Sequence, residues 1–567
     1  MDISGVLAMI NAVLWHEYVL YAIVGTGVMF TVWSGFSQYW SLRHGPAVVR
    51  GEYDDPDDPG AINHFQALAT ALSATVGLGN IGGVALAIAL GGPGAVFWMW
   101  VVGLLGMAIK LTEVTLSMLY RNTDDADNPH GGPMWVAARA LERANWPRLG
   151  RAIGIIFCLS MLVSTATGGN MFQAWNVGEI TQEYYGVPSW ISGIILALIV
   201  GAVIIGGIKR IGKFAATVVP TMVAAYLIAG LGVLFANFGS IPAMFALIIE
   251  AAFSPATASG AFVGGSVFFA FQIGMKRAIF SNEAGQGSSP MVHAAAKTDE
   301  PVREGIVAGL EPFIDTIVVC TFTALIILST GIWNRAPDIS FDVTPQFVAS
   351  GSSWTLPNTI TSNNWTDGES AFVVVSADPN KQTANSLHKV AGVASATSNG
   401  FEIIWSPVDS NIKPTVIGDG FYRNYVGATL TAKAFDSVLP GLGKWVIVIA
   451  TWLFAISTMI SWSYYGEQGV VFMGGEKPVL TYKLFYCALI ILATLGFVKT
   501  DADLDNVIGV GTGIILFANI PICWMFGYQA MRAYKDYIRR LKSGSIGPDH
   551  PKPSLDDLLS GRDVERD

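Results

Sequence analysis

Apolar residues along this chain gather into long runs separated by short polar connections. Eleven runs stand out, at roughly 16–39, 64–90, 93–120, 151–182, 190–207, 213–237, 261–288, 305–332, 440–465, 478–498 and 505–533. Most exceed the ~20 residues that a helix needs to cross the hydrocarbon layer. They lack the strict apolar–polar alternation of membrane barrel strands. The pattern predicts membrane helices.

Lysine and arginine sort the connections by side. If the N-terminus lies outside, the second inward connection carries Arg121, Arg139, Arg143, Arg148 and Arg151. The next inward ones carry Lys209, Arg210 and Lys213, then Lys297 and Arg303. The C-terminal tail carries Arg532, Lys535, Arg539, Arg540 and Lys542, and the opposite connection at 238–260 carries no Lys or Arg. The expected topology is therefore N-terminus outside and C-terminus cytoplasmic, which eleven spans make consistent.

One polar segment interrupts the pattern. Residues 333–439 are rich in Ser, Thr, Asn and Pro, with β-like runs at Ala371–Val375 and Phe401–Trp405. A small β-rich extracytoplasmic insert is expected there; an irregular loop is the alternative. After about residue 543 the Gly, Ser and Pro content predicts an irregular tail.

Composition sharpens this picture. The 567 residues are 52% hydrophobic and only 13% charged, and the mean hydropathy is +0.48. Soluble domains carry about a quarter charged residues, so this chain needs lipid as solvent. No basic tract of nucleic-acid type occurs, and no obligate protein partner is evident. Cys158, Cys320, Cys487 and Cys523 all sit in apolar runs and read as small buried residues rather than disulfides or metal ligands. Asp2 stands where a secretory leader has basic residues and no A-x-A site follows closely, so a cleavable leader is not expected.

The most informative stretch is Thr70–Gly83, in the middle of the second run. Gly77 and Gly79 flank Leu78, Asn80 follows, and Ser73 and Thr75 precede. Glycine weakens helix. At membrane depth, backbone groups freed from a helix must be satisfied by something other than lipid. An unwound segment lining a binding cavity answers that need: free carbonyls hold a cation, and the half-helix N-terminus holds a carboxylate. A close-packing face of small residues is the alternative. The run 261–288 is interrupted too, by Gly264-Gly265 and then Gly274 in Phe271–Met275. Setting aside the N-terminal run, these two are the first and sixth of ten. Paired interruptions at matching places point to an inverted-repeat transporter, although no residue-level similarity between the halves is detectable.

Several stretches resemble the alanine-or-glycine:cation symporters. They are Ala69–Ser73 leading into Gly77–Asn80, Leu90–Trp100, Gly131–Met134, Gly169–Gln173, Phe280–Gly285, Glu311–Thr316, Phe454–Thr458 and Trp462–Glu467. The resemblance covers about 64–332 and 440–533, leaving 333–439 outside it. It implies an all-α polytopic protein with a leucine-transporter-like 5+5 inverted-repeat bundle and one extra N-terminal helix. The implied parts are 1–63 (N-terminal helix and loop), 64–238 (first repeat), 261–332 plus 440–533 (second repeat), 333–439 (insert) and 534–567 (cytoplasmic tail). The implied setting is the bacterial inner membrane. The implied substrate is a small neutral amino acid, bound by Thr75, Gly77, Leu78, Gly79, Asn80, Gln173, Trp175, Phe271, Gln272, Gly274 and Trp462. The implied co-transported ion is sodium, with a proton as alternative, and no organic cofactor; its ligands would be Ser73, Val76, Ser457 and Thr458. Neutral oxygen ligands suit sodium and avoid a fixed buried charge. Two positions depart from the family: Leu78 stands where Thr is usual, and Trp175 where Asn is usual.

Charged residues inside the runs are candidates for gating or coupling. Lys110 and Glu113 are three apart on one helix face and are expected to pair. Glu311 and Asp315 are expected to find Lys276 or Arg277, locking the cytoplasmic side or relaying protons. Glu283 is expected to cap or hinge the second broken helix. His64 and His293, near run ends, read as interfacial. No H-E-x-x-H, G-x-S-x-G, phosphate-loop or metal-spaced Cys/His motif occurs, so an enzyme is not expected. A sensor built on a transporter scaffold remains the alternative to a symporter.

Overall fold

The computed structural model describes residues 3–254, 260–351, 353–361, 365–379, 385–397, 400–425, 427–496, 501–546 and 555–560. Helices come first: α1 (Ile3–Leu14), α2 (Glu17–Trp33), α3 (Ser37–Val49), α4 (His64–Thr75), α5 (Val84–Gly91), α6 (Gly94–Tyr120), α7 (Pro133–Arg143), α8 (Pro147–Ala166), α9 (Phe172–Tyr185), α10 (Ser189–Ile204), α11 (Gly207–Ala236) and α12 (Ile241–Phe253). Then follow α13 (Val267–Asn282), α14 (Ser289–His293), α15 (Pro301–Ala308) and α16 (Thr321–Ser329). After a β-rich segment come α17 (Ala428–Asp436), α18 (Gly443–Gly474), α19 (Val479–Ala493), α20 (Asp501–Ser543) and α21 (Leu555–Ser560).

Among the described residues, six helical runs are long and apolar enough to cross a membrane, and eight if each of two bent pairs is one span. The bent pairs are α2 with α3, at 71°, and α4 with Gly79–Gly91, at 51°. Three of the eleven expected spans are shorter helices: α10, α13 and α19 hold 16, 16 and 15 residues. The outer faces of the bundle carry large apolar side chains, such as Leu198, Ile228 and Phe485, more than half exposed. Lipid is the solvent such faces require. The connection at 238–260 holds α12, a helix too short to have been read from the run pattern.

Local signals explain several boundaries. Asn63 accepts from the Gln66 backbone N–H at 2.8 Å while the Gln66 side chain accepts from the Asn63 N–H at 3.1 Å, closing a capping box on α4. Pro133 and Pro147 open α7 and α8, where a missing N–H does no harm. Two glycines fix close approaches to α6. A Cβ on Gly305 would fall 2.1 Å from Thr115 Oγ1, and one on Gly274 would fall 2.4 Å from the Ala95 carbonyl oxygen. Gly274 is thus where the backbone of α13 meets the start of α6. The helix runs unbroken through it from Val267 to Asn282, and Gly264-Gly265 lie before the helix begins. The expected interruption at those glycines is corrected: they serve helix entry and packing.

The polar segment forms a sheet of strands β1 (Ile339–Ser340), β4 (Thr359–Thr361), β5 (Ser370–Ser376), β6 (Leu387–Thr397), β7 (Gly400–Trp405), β8 (Thr415–Val416) and β9 (Gly420–Arg423), with a hairpin of β2 (Val348–Ser350) and β3 (Ser353–Thr355). Its order is β1-β9-β5-β6-β7-β4, all antiparallel, with β8 also on β5. Central β5 is buried through Ala371–Val375. Trp365, Val373, Val375, Val390, Ile403, Trp405 and Phe421 form its own core. Most of the tail after 543 lies outside the described residues; α21 returns to the bundle, where Arg143 meets Asp556 at 2.6 Å. Cys158, Cys320 and Cys523 are buried, Cys487 is half-buried, and all four are free.

Replacing Gly274 by Val is expected to abolish monodisperse protein in detergent, because a backbone carbonyl blocks the new side chain. Size-exclusion chromatography checks this; a wild-type profile for the variant would refute the packing role.

Candidate functional site

The first break begins where α4 stops at Thr75. Val76 turns to an extended backbone, at φ −75° and ψ 93°. A five-residue π-helical turn, Gly79–Gly83, then restarts the chain into α5. Side chains take over from missing helical bonds. Asn80 Oδ1 accepts from the Gly77 N–H at 2.8 Å, and its Nδ2 donates to Asp315 Oδ1 at 2.6 Å. Asp315 lies in a π-helical stretch, Phe313–Cys320, and also accepts from Ser281 Oγ at 3.1 Å and Thr316 Oγ1 at 2.8 Å. Asn80 therefore shapes the break from behind.

The second break lies at 283–288, between α13 and α14. Glu283 takes a left-handed backbone with φ 56°, and Gly285 and Gly287 follow with φ 85° and 70°. Again polar side chains substitute. Glu113 of α6 accepts from the Gly287 N–H at 3.1 Å and from Asn519 Nδ2 at 2.8 Å. Asn519 also donates to the Gly285 carbonyl, and Gln286 Nε2 to the Ile279 carbonyl at 2.9 Å.

A narrow cavity opens where the two breaks face each other, with about 360 Å³ of non-atom space when the adjoining open space is counted. Ala74, Thr75, Gly77, Leu78 and Gly79 line it from the first broken helix, and Phe280, Glu283 and Gln286 from the second. Ser164, Gly168 and Gln173 come from the α8–α9 run, Thr458 and Trp462 from α18, and Thr512 from α20. Two lining oxygens are buried without a hydrogen-bond partner: Thr458 Oγ1 and Gln173 Oε1. Gln173 spends its Nε2 on the Gly168 carbonyl at 3.1 Å. Thr458 Oγ1 presses on the break, since a Cβ on Gly77 would fall 2.6 Å from it. Ser73 Oγ donates to the Ser457 carbonyl at 2.8 Å, and Ser457 Oγ to the Phe454 carbonyl at 2.9 Å. Both hydroxyls keep lone pairs free. The groups able to hold a cation here are thus Thr458, Ser73, Ser457 and the Val76 main chain, all neutral. No cluster of three His, Cys, Asp or Glu with metal-holding geometry occurs among the described residues.

The structure brings together Thr75, Gly77, Leu78, Gly79, Gln173, Thr458 and Trp462, with Ser73, Val76 and Ser457 adjoining. Other expected pocket residues lie elsewhere. Phe271 stacks among Tyr21, Phe268 and Trp98. Gln272 and Trp175 are half-buried off the cavity, and Gly274 faces α6. The reason is one of register: α13 unwinds at 283, two turns beyond Phe271–Met275. Phe280, Gln286, Ser164, Gly168 and Thr512 line the cavity and were not expected. For Phe280 and Gln286 a signal existed: Gly285-x-Gly287, one residue beyond Ser281-Asn282-Glu283.

The expected ion pairs are also corrected. Lys110 does not pair with Glu113. Its ammonium meets Glu311 at 3.0 Å and donates to Ser289 Oγ at 2.8 Å. Glu311 and Asp315 do not find Lys276 or Arg277; Lys276 lies over the Trp15 ring. His293 bonds Glu311 at 2.7 Å through Nε2 and Glu304 through Nδ1. His64 Nδ1 bonds the other oxygen of Glu304, and its Nε2 sits 3.3 Å from Asp54. Both histidines are buried within this network rather than interfacial.

The profile of the sodium:alanine symporter family matches residues 1–356 and 393–550. Within 333–439 the stretch outside the match is thus 357–392, in the sheet, rather than the whole segment. Sodium/alanine symporter AgcS of Methanococcus maripaludis is 33% identical over 486 residues, covering 86% of this chain and 87% of that protein. A putative sodium/proton-dependent alanine carrier of Bacillus subtilis, YrbD, is 31% identical over 541 residues, covering 95% and 93%. Among solved structures, MhsT in complex with L-phenylalanine aligns with a TM-score of 0.48 and 11% identity, over 88% of this chain and 95% of that one.

Removing one member of a buried ion pair leaves an uncompensated charge, at about 3–5 kcal/mol. Lys110→Met is therefore expected to lower the melting midpoint strongly, and Lys110→Met with Glu311→Gln to recover part of the loss. Thermal unfolding in detergent reads both; a double variant no better than the single would refute the pairing as the source.

Proposed function

The chain belongs to the sodium:alanine symporter family, and from that premise we propose that it carries a small neutral amino acid, alanine or glycine before others, into the cell together with sodium. It is a multi-pass membrane transporter of the cation-coupled amino acid class, and not an enzyme. The observation that carries the alanine–sodium proposal is the cavity at the two breaks, with its two buried, unpartnered oxygens. Leu78 and Trp462 bound it with apolar surface, and Trp462 packs tightly on Gly169, which suits a short side chain.

The roles follow from charge and geometry. The helical half starting at Gly79 presents the positive end of its dipole to the cavity, a place for the substrate carboxylate. Gln173 offers its free Oε1 to the other polar end. Sodium would sit against Gly77, held by Thr458 Oγ1 with help from Ser73, Ser457 and the Val76 carbonyl. That cage is neutral, so the bound ion supplies the charge that draws the carboxylate in. Binding of one cargo then favours the other, which is the differential interaction that coupling requires.

The remaining features fit an inverted-repeat carrier. Two five-span halves would follow an extra N-terminal helix, with eleven spans, the N-terminus and the sheet outside and the tail in the cytoplasm. Rocking of one set of helices against the other would open the cavity to each side in turn. Asp54, His64, Glu304, His293, Glu311 and Lys110 would tie the inner side shut.

Uptake into proteoliposomes under an inward sodium gradient tests this. Alanine or glycine is expected to accumulate, and to stop when the gradient is collapsed. Binding without uptake would instead favour a sensor. Thr458→Ala removes one oxygen ligand of the ion and is expected to raise the sodium concentration for half-maximal uptake about tenfold, or about 1.4 kcal/mol. An unchanged sodium dependence would reject that ligand. Gln173→Ala is expected to weaken amino acid binding more than sodium binding.

A further inference from the structure

The cavity wall carries a carboxylate that the roles above leave unused. Glu283 is 2% exposed and closes the end of α13 in a left-handed backbone. A non-glycine residue in that region stores strain that its surroundings must enforce. Its Oε2 accepts from Ser288 Oγ. No lysine, arginine or histidine among the described residues forms an ion pair with it. The nearby ammonium of Lys110 is engaged by Glu311 and Ser289. A buried carboxylate with a single hydroxyl partner is undercompensated. Glu283 lines the cavity in which Gln173 Oε1 and Thr458 Oγ1 lack partners. The 16-residue helix α13 ends at the same point, and its C-terminal end adds negative potential.

Resting on the amino acid transport reading, we propose that Glu283 is the counter-charge for the substrate's α-ammonium group. The cavity is then bipolar. The helical half that starts at Gly79 faces one side with its positive end, and α13 with Glu283 faces the other with negative charge. A zwitterion bridges the two poles; an acid without an amine leaves the Glu283 carboxyl without a charged donor. The sodium position against Gly77 belongs to the other broken helix, so the two cations have separate holders. Glu283 also accounts for Gln173: its free Oε1 adds a neutral acceptor for the same ammonium. The substrate class is accordingly α-amino acids with a free, charged amine. Hydroxy acids and N-acylated amino acids of the same size are excluded.

Competition against labelled alanine, with sodium binding measured separately, tests the assignment. In the wild type, L-lactate and N-acetyl-alanine are expected to compete at least about 100-fold more weakly than alanine. Glu283→Gln is expected to weaken alanine binding about 10- to 100-fold, the range for a hydrogen bond to a charged group. It should leave radiolabelled sodium binding intact and shrink the preference for alanine over lactate. Unchanged alanine affinity in the variant overturns the assignment. So does lost sodium binding with the alanine-to-lactate ratio kept, because Glu283 would then hold the coupling ion. If the variant does not fold, the wild-type panel decides: lactate within about threefold of alanine overturns it. A wild type that takes up no small amino acid overturns the transport reading, and this assignment with it.

Discussion

Everything in this fold answers one constraint: a main chain that leaves its helix inside a bilayer has no water to satisfy it. Both breaks meet that constraint by borrowing side chains from distant parts of the sequence. Asn80 stands in for the missing helical acceptor of Gly77 and is itself held by Asp315. Glu113 and Asn519 take the same part for Gly287 and Gly285. The helices that supply these groups, α6, α20 and the Phe313–Cys320 stretch, thereby fix the shape of the cavity. Once the main chain is served from behind, the front of each break is open to solute.

The two breaks solve the problem with different chemistry. Around the first, the direct partners of the main chain are neutral amides and hydroxyls. Around the second, amides are joined by one carboxylate, Glu113, behind the main chain, and a second carboxylic side chain, Glu283, stands at the break itself and bonds Ser288. The difference gives the cavity a polarity that its lining of glycine, leucine and tryptophan would not. Trp462 sits tight on Gly169, where a Cβ would fall 2.5 Å from its ring, so this apolar wall has little room to give way. The width of the cavity is thus set by packing and its polarity by helix ends, two independent features of one site.

Much of this was legible in the sequence, and the misses have physical causes. Long apolar runs give membrane helices directly, because hydropathy is a property of composition. The break at Gly77–Asn80 was readable because glycines, a small polar set and membrane depth coincide. The second break was placed two turns early, at Gly274. Glycine in a membrane helix serves close packing as often as unwinding, and only the partner, here the Ala95 carbonyl, tells the two apart. Charge pairing failed for a related reason. Lys110 and Glu113 share a helix face by spacing, yet each turns to the neighbour it packs on, α14–α15 and the 283–288 turn. The same holds for Arg121, counted as a marker of sidedness. It is buried, and its guanidinium is spent on the Ala294, Ala296 and Thr298 carbonyls. Spacing along one helix cannot show which of several neighbours will supply a partner.

The charged network has a mechanical consequence for the two broken helices. His64 is the first residue of α4 and His293 the last of α14, and both bond the same carboxylate, Glu304 of α15. His293 reaches on to Glu311, which holds Lys110 of α6. The first broken helix, the second and their scaffold thus share one anchor made of buried ionisable groups. Separating any one of them in a dry interior leaves a carboxylate or an ammonium without compensation, a penalty of several kcal/mol. An opening that pulls these helices apart at this end must therefore bring water to the anchor as it goes. One that keeps the anchor dry must move both helices as a unit. A bundle with such an anchor resists partial opening at this end.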